Sequence, residues 1–277
     1  MTDEIRIRLA RTRSDFEACI PLQRAVWGIP DLEVTSAVHL IATVHAGGFV
    51  HLAEAAEGAI VGFAYAFPAL RGGIPHFHSD MLAVLPDLRE RGLGARLKWA
   101  QRDEALARGV SLIGWTYDPM QARNANLNLR RLGAQAPQFV ADFYGRTSSP
   151  LHHGLATDRL IVRWELKSKR VQDCAAAGEP ERTGAAPALP RINEVKWQAG
   201  WPVSSEPRLD LQDPELLLEI PPDWDVLCQA APLVAQDWHG KVRRGLQAYF
   251  GRGYGAADFV PSEERGRRRP LYLLRKA

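Results

Sequence analysis

One stretch limits what this chain can fold into more than any other. Val84-Leu85-Pro86-Asp87-Leu88-Arg89-Glu90-Arg91-Gly92-Leu93-Gly94 joins the end of an apolar strand pattern to the start of an amphipathic helix that carries Leu97, Trp99, Ala100, Ala105 and Leu106. Gly92 and Gly94 have no Cβ, so a ligand can approach the backbone closely there. The first amides of a helix lack intrahelical acceptors and point outward. The helix dipole adds about half a positive charge at the same end. Together they make an anion site suited to a pyrophosphate, and Arg89 and Arg91 add fork-shaped donors for phosphate oxygens. A dinucleotide fingerprint fits less well, because it sets its first glycine nearer the strand inside a βαβ unit. The plain alternative is a glycine-rich turn with no ligand.

Periodicity supplies the rest of the fold. Ile5, Ile7 and Leu9 alternate with polar residues, as a half-buried strand does. Ser14 with Glu17 reads as a capping box opening a helix that stops near Gly28. A second helix spans 36–45 and closes at Gly47-Gly48. Strands fit 49–54, 59–67 and 76–85, a helix 94–108, a strand 111–117, a helix 119–132, and strands 139–144 and 160–166. This order predicts an α/β (α+β) fold with a mixed, mostly antiparallel twisted sheet flanked by helices. Residues 168–190 hold alanine, glycine and proline without periodicity and read as a linker. Beyond it, a smaller C-terminal βαββ region is expected. Its helix carries the stripe Val242, Leu246 and Tyr249, which must bury somewhere. The boundaries are then 1–167, 168–190 and 191–277. Strand, proline, arginine-rich helix, glycine, strand, strand describes both Leu112 to Leu166 and Leu216 to Arg275, so a half-repeat is one reading and chance recurrence the other.

Bulk properties narrow the class. The 277 residues carry a formal net charge of only +3, too mild to imply nucleic acid. The basic run Arg265 to Arg269 has no interleaved aromatics, which disfavours a strand-binding surface. Cys19, Cys174 and Cys228 are far apart and form neither a metal spacing nor a disulfide framework, which suits a reducing cytoplasm. No apolar run reaches the roughly 18 residues of a membrane helix, and no signal-peptide pattern opens the chain. The expectation is a cytoplasmic protein without membrane or nucleic-acid partners.

Val84, Pro86, Arg89, Gly92 and Gly94 resemble the pyrophosphate-binding motif of the GNAT superfamily of N-acetyltransferases, Gln/Arg-x-x-Gly-x-Gly/Ala. Glu90 stands where that pattern often has glycine. The element order from Ile5 to Leu166 is similar as well. The resemblance implies acetyl-CoA or another acyl-CoA as donor substrate and no metal. It implies that the strand before the motif parts from its neighbour, with Leu82, Ala83 and Val84 offering backbone groups to the pantetheine arm. One N–H there would polarise the thioester carbonyl. Arg89, Glu90, Arg91, Gly92, Leu93, Gly94 and Ala95 would hold the pyrophosphate.

An acceptor amine, with a pKa of about 10, must lose a proton before it attacks. Family members often place a Glu where this chain has Asp80. His76, His78, Asp80 and Leu82 alternate and so are expected on one strand face. Asp80 is the candidate base, with His78 as an alternative. A metal on His76, His78 and Asp80 is disfavoured, because three ligands from one strand face are thin grounds for a site. The family's usual acid is a Tyr in the helix after the fifth strand. Asn124 to Gly133 contains none, which leaves Tyr117 and Tyr144 as replacements. Asn124, Asn126 and Asn128 are unusual inside a helix; Asn124 would cap it or meet the cofactor. The reading is an acyltransferase that moves an acetyl or other acyl group from CoA by direct attack of an unidentified acceptor, expected to be an amine, with a non-catalytic acyl-CoA-binding or interaction module as the alternative. A homodimer formed through the C-terminal third stays open.

Overall fold

The computed structural model describes residues 5–89, 91–145, 152–178 and 186–277. The chain divides into two compact units. The first takes the described residues of Met1–Trp115 and Trp164–Ala175, and the second those of Thr116–Ser148, His152–Arg163 and Ala176–Ala277. The division falls within two strands and again between Ala175 and Ala176, inside the 168–190 stretch.

The first unit is a sheet in the order β1-β2-β3-β4-β5. Its strands are β1 (Arg6–Leu9), β2 (Phe49–Glu54), β3 (Ile60–Arg71), β4 (Ile74–Val84) and β5 (Leu112–Tyr117). The first four pair antiparallel, and β4 pairs parallel with β5. The helices are α1 (Arg13–Glu17), α2 (Cys19–Trp27), α3 (Ala37–His45) and α4 (Leu93–Ala107). One core lies on the α1–α3 face, with Phe16, Leu22, Leu40, Phe63, Tyr65, Met81 and Ala83 buried together. The other joins Val61 and Ala64 of the sheet to Leu93 and Leu97 of α4. Burying each large side chain contributes about 1.5–3 kcal/mol.

The first helix is capped two residues earlier than expected. Thr12, not Ser14, is the N-cap, and Asp15, not Glu17, returns the bond. The Asp15 carboxylate accepts from the Arg11 and Thr12 amides and from the Arg8 guanidinium at 2.8 Å. Arg8 also holds Glu54, which ties the helix start to β1 and β2. Arg8 is the first cause that holds Asp15 well below the usual carboxylate range. Its stabilising contribution is therefore full above the ordinary Asp pKa and lost as pH falls below about 4. Asp15→Ala is expected to cost about 2–3 kcal/mol at pH 7. The deficit relative to wild type should shrink at pH 3, as urea unfolding at the two pH values would show.

In the second unit, the last residues of β5 lead into the order β5-β7-β6-β11-β12-β10. The strands are β6 (Gln135–Val140), β7 (Arg159–Glu165), β10 (Glu215–Glu219), β11 (Tyr254–Glu264) and β12 (Arg267–Lys276), with a separate hairpin of β8 (Val195–Gln198) and β9 (Trp201–Ser204). The helices are α5 (Ala122–Ala125), α7 (Trp224–Ala230) and α8 (Pro232–Phe250). The α8 stripe buries inside this unit: Trp238, Val242, Leu246 and Tyr249 are all covered, and α8 packs on β6, β9 and β11. In each of the two similar sequence runs the last strand lies between the two earlier ones, β7 between β5 and β6, and β12 between β10 and β11.

Two expectations are corrected. Lys169–Ala177, read as linker, is a helix, α6. The helix expected over 119–132 is only α5 followed by a π-helical turn at Asn126–Arg131. Among the described residues no helix is long and apolar enough to cross a membrane, and no group of three His, Cys, Asp or Glu side chains is placed to hold a metal ion.

Candidate active site

The site forms where β4 leaves β5. The two strands pair only at Phe77↔Ile113 and His78↔Gly114. Beyond that point β4 runs on from Ser79 to Val84 paired on its β3 side alone. Its other edge carries backbone groups free to bond a ligand, as the edge of any sheet does. The fork thus opens beside Leu82, Ala83 and Val84.

A bulge reshapes the strand at the same place. Ala66 pairs with Ser79 and Tyr65 with Met81, so Asp80 is the extra residue. A bulge shifts the side-chain alternation by one. Before it, Ser79 faces α4 and bonds to Gln101. After it, Met81 and Ala83 lie in the α1–α3 core, while Leu82 and Val84 pack with the α4 core. Asp80 and Leu82 are therefore on opposite faces, and the shared face expected from simple alternation holds only before the bulge.

Asp80 is exposed at the surface, but the protein around it excludes enough water to raise its carboxyl pKa, partly opposed by His39. His39 and Tyr65 stand on the same side. The Tyr65 hydroxyl donates to Thr43 Oγ1 at 3.0 Å and lies 3.4 Å from His39 Nε2. Burial raises the Tyr65 phenol, and Asp80 adds to that. Sequence reasoning missed both residues. Tyr65 reads as one more apolar position in β3, and only its partner across the bulge marks it. His78 packs on Phe67 with ring centroids 5.2 Å apart, and burial pushes its imidazole down to about 4. It is neutral at pH 7 and a weak base.

The glycine turn leads directly into α4. Gly92 is the N-cap and adopts φ 79°, a left-handed conformation that side chains resist. Leu93 is buried, so the helix start is anchored while its first amides stay outward. Gly94 and Ala95 follow in the first turn. Arg91 is exposed. Arg89 turns inward, bonding Val84 O and Val26 O at 3.4 Å each. It braces the loop against β4 and α2. Glu90 lies outside the described residues.

Three expected residues belong to the second unit. Tyr117 is 5% exposed, and burial raises its phenol well above the ordinary range. Tyr144 is 57% exposed, with its hydroxyl 3.5 Å from Thr116 Oγ1. Asn124 is exposed within α5 and caps nothing, since the cap position is Gln121. The asparagine-rich run marks the π turn instead: Leu132 N–H reaches back five residues to Leu127 O. Such turns are frequent at functional sites.

Residues 14–133 match the sequence model of the acetyltransferase (GNAT) family. The fork, the bulge and the glycine turn all lie within that matched segment. Among solved structures the chain is similar to the ribosomal-protein-S18-alanine N-acetyltransferase of Escherichia coli, at 19% identity over 59% of this chain and 95% of that one, TM-score 0.47. The ribosomal-protein-alanine N-acetyltransferase of Brucella melitensis is 23% identical over 57% of this chain and 98% of its own, TM-score 0.46. Chaetomium thermophilum Naa20, solved with a bisubstrate analogue, is 16% identical over 61% and 89%, TM-score 0.47. No match is found among curated proteins.

Proposed function

We propose that the protein is a CoA-dependent N-acyltransferase that moves an acetyl group from acetyl-CoA to an amine by direct attack. The observation that carries this reading is the fork between β4 and β5, opening next to a glycine-started helix within the GNAT-family segment. The outward amides of Leu93, Gly94 and Ala95 hold the pyrophosphate, with Arg91 as the nearby exposed cation. Arg89 keeps the loop in shape through the Val84 and Val26 carbonyls. Leu82, Ala83 and Val84 offer the free edge of β4 to the pantetheine arm, and an amide at the bulge polarises the thioester carbonyl. Asp80, with its raised pKa, takes the proton from the incoming amine through a water. The amine attacks the thioester carbon, the C–S bond breaks, and CoA leaves as thiolate to be protonated.

Thiol release from acetyl-CoA, monitored across a panel of primary amines and of peptides with free N-termini, tests the activity. Asp80→Asn is expected to lower the turnover number about 10²–10⁴-fold while leaving acetyl-CoA affinity near wild type. An unchanged rate in that variant removes Asp80 from the mechanism. Tyr117→Phe and Tyr144→Phe are the variants to assay for the acid, and the one that abolishes thiol release identifies it. Binding without turnover on any amine would instead support a non-catalytic acyl-CoA module.

A further inference from the structure

The fork contains a cation that the proposed chemistry does not use. Lys98, in the second turn of α4, is 3% exposed. Among the described residues it has no ion pair. Its Nζ donates to Ser79 Oγ at 2.7 Å and sits 3.7 Å from the centre of the Trp115 ring. Ser79 and Trp115 are the first residues beyond the last β4–β5 pair, one on each strand. The Ser79 hydroxyl in turn donates to Gln101 Oε1 at 2.8 Å. Ser79 and Gln101 are 4% and 0% exposed, and Gln101 Nε2 has no hydrogen-bond partner among the described residues. His78 of β4 is a titratable group near enough to feel the ammonium, which helps to keep its imidazole neutral.

We infer that Lys98 is a positioning residue that sets the opening of the fork for the acyl-pantetheine arm. The ammonium touches both prongs where they separate. It fixes the Ser79 hydroxyl by giving it one donor, while Gln101 accepts its proton. Ser79 immediately precedes the bulged Asp80, so its orientation sets the backbone of the bulge. On the other prong the ammonium rests on the π face of Trp115, an attraction that strengthens away from water. Without the ammonium, β4 and β5 have less reason to stay apart. Their free edges can extend the parallel pairing past His78 and Gly114, which closes the space the arm needs. This rests on the acetyl-CoA reading of the site, and the test separates the two.

Calorimetry with two probes distinguishes the arm from the phosphate end. Acetyl-CoA carries both; adenosine 3′,5′-bisphosphate carries the nucleotide end without the pantetheine arm. Lys98→Met, of similar length, is expected to weaken acetyl-CoA binding at least about tenfold and leave bisphosphate binding within about twofold. Ser79→Ala, a small change that keeps the ammonium buried, should give a loss of the same kind. The double variant should be little worse than either single one, as coupled residues are. Equal weakening of both probes would mean general damage to the domain and overturn the proposal, as would unchanged acetyl-CoA binding in both single variants. If Lys98→Met does not fold, Ser79→Ala alone decides. Failure of the wild-type protein to bind acetyl-CoA would overturn the donor reading itself, and this inference with it.

Discussion

Arg269→Ala is expected to destabilise the second unit by about 3–5 kcal/mol. Glu219, at the end of β10, is 2% exposed. Its carboxylate is held by Arg269 through both oxygens, with Nη2 2.7 Å from Oε2, and more distantly by Arg191 at 3.4 Å. Asn193 closes the group by bonding the Glu219 amide and carbonyl. Burial raises the Glu219 pKa and Arg269 opposes it. Removing Arg269 leaves a buried charge with one distant partner, so the carboxyl should take up a proton. The loss is then expected to shrink as pH falls, and Glu219→Gln in the same chain should recover part of it. Thermal unfolding of the single and double variants at pH 7 and pH 5 measures both effects. A loss under 1 kcal/mol would show that Arg191 alone suffices to hold the carboxylate.

The second large effect concerns Lys98 and pH. Burial pulls its ammonium down to about 7, far below the value of about 10.4 in an unfolded chain. Between those values the folded protein binds fewer protons than the unfolded one. Stability relative to Lys98→Met should therefore rise as pH increases from 7 to 10, by at most about 1.4 kcal/mol per pH unit. Below pH 7 the wild type bears the full cost of burying the charge, and the difference should level off. Chemical unfolding of both proteins across pH 6–10 tests this. A flat difference would place the Lys98 pKa near its ordinary value and contradict the burial of its charge.

Sequence legibility followed the reach of the interactions. The end of the first helical stretch at the left-handed Gly28 was readable because glycine turns act within a few residues, whereas Ser36, read as the first residue of its helix, is the cap of α3. The glycine turn before α4 was readable for the same reason. Thr12 and Ser14 both stand near the first helix, and the choice between them depends on Arg8 and Glu54, the latter 39 residues away in sequence from Asp15. The bulge at Asp80 is set by pairing with β3, so alternation along β4 alone could not show that Leu82 changes face. Lys98 was passed over because lysine normally extends its charge to water; only the packing of Ser79, Gln101 and Trp115 around it shows otherwise. The β8–β9 hairpin was missed because its two four-residue strands are too short for a period to emerge.

The turn at Gly92–Ala95 and the β4–β5 fork are expected to bind acetyl-CoA together. Calorimetric titration of the wild-type protein and of Gly94→Glu tests it most directly. A glutamate in the first turn of a helix suits the helix dipole, so the variant should fold. Its carboxylate occupies the place of the pyrophosphate, and like charges brought together cost several kcal/mol. The wild type is expected to bind with micromolar affinity, and the variant at least about a hundredfold more weakly. No binding by the wild type, or equal binding by both proteins, would contradict that expectation.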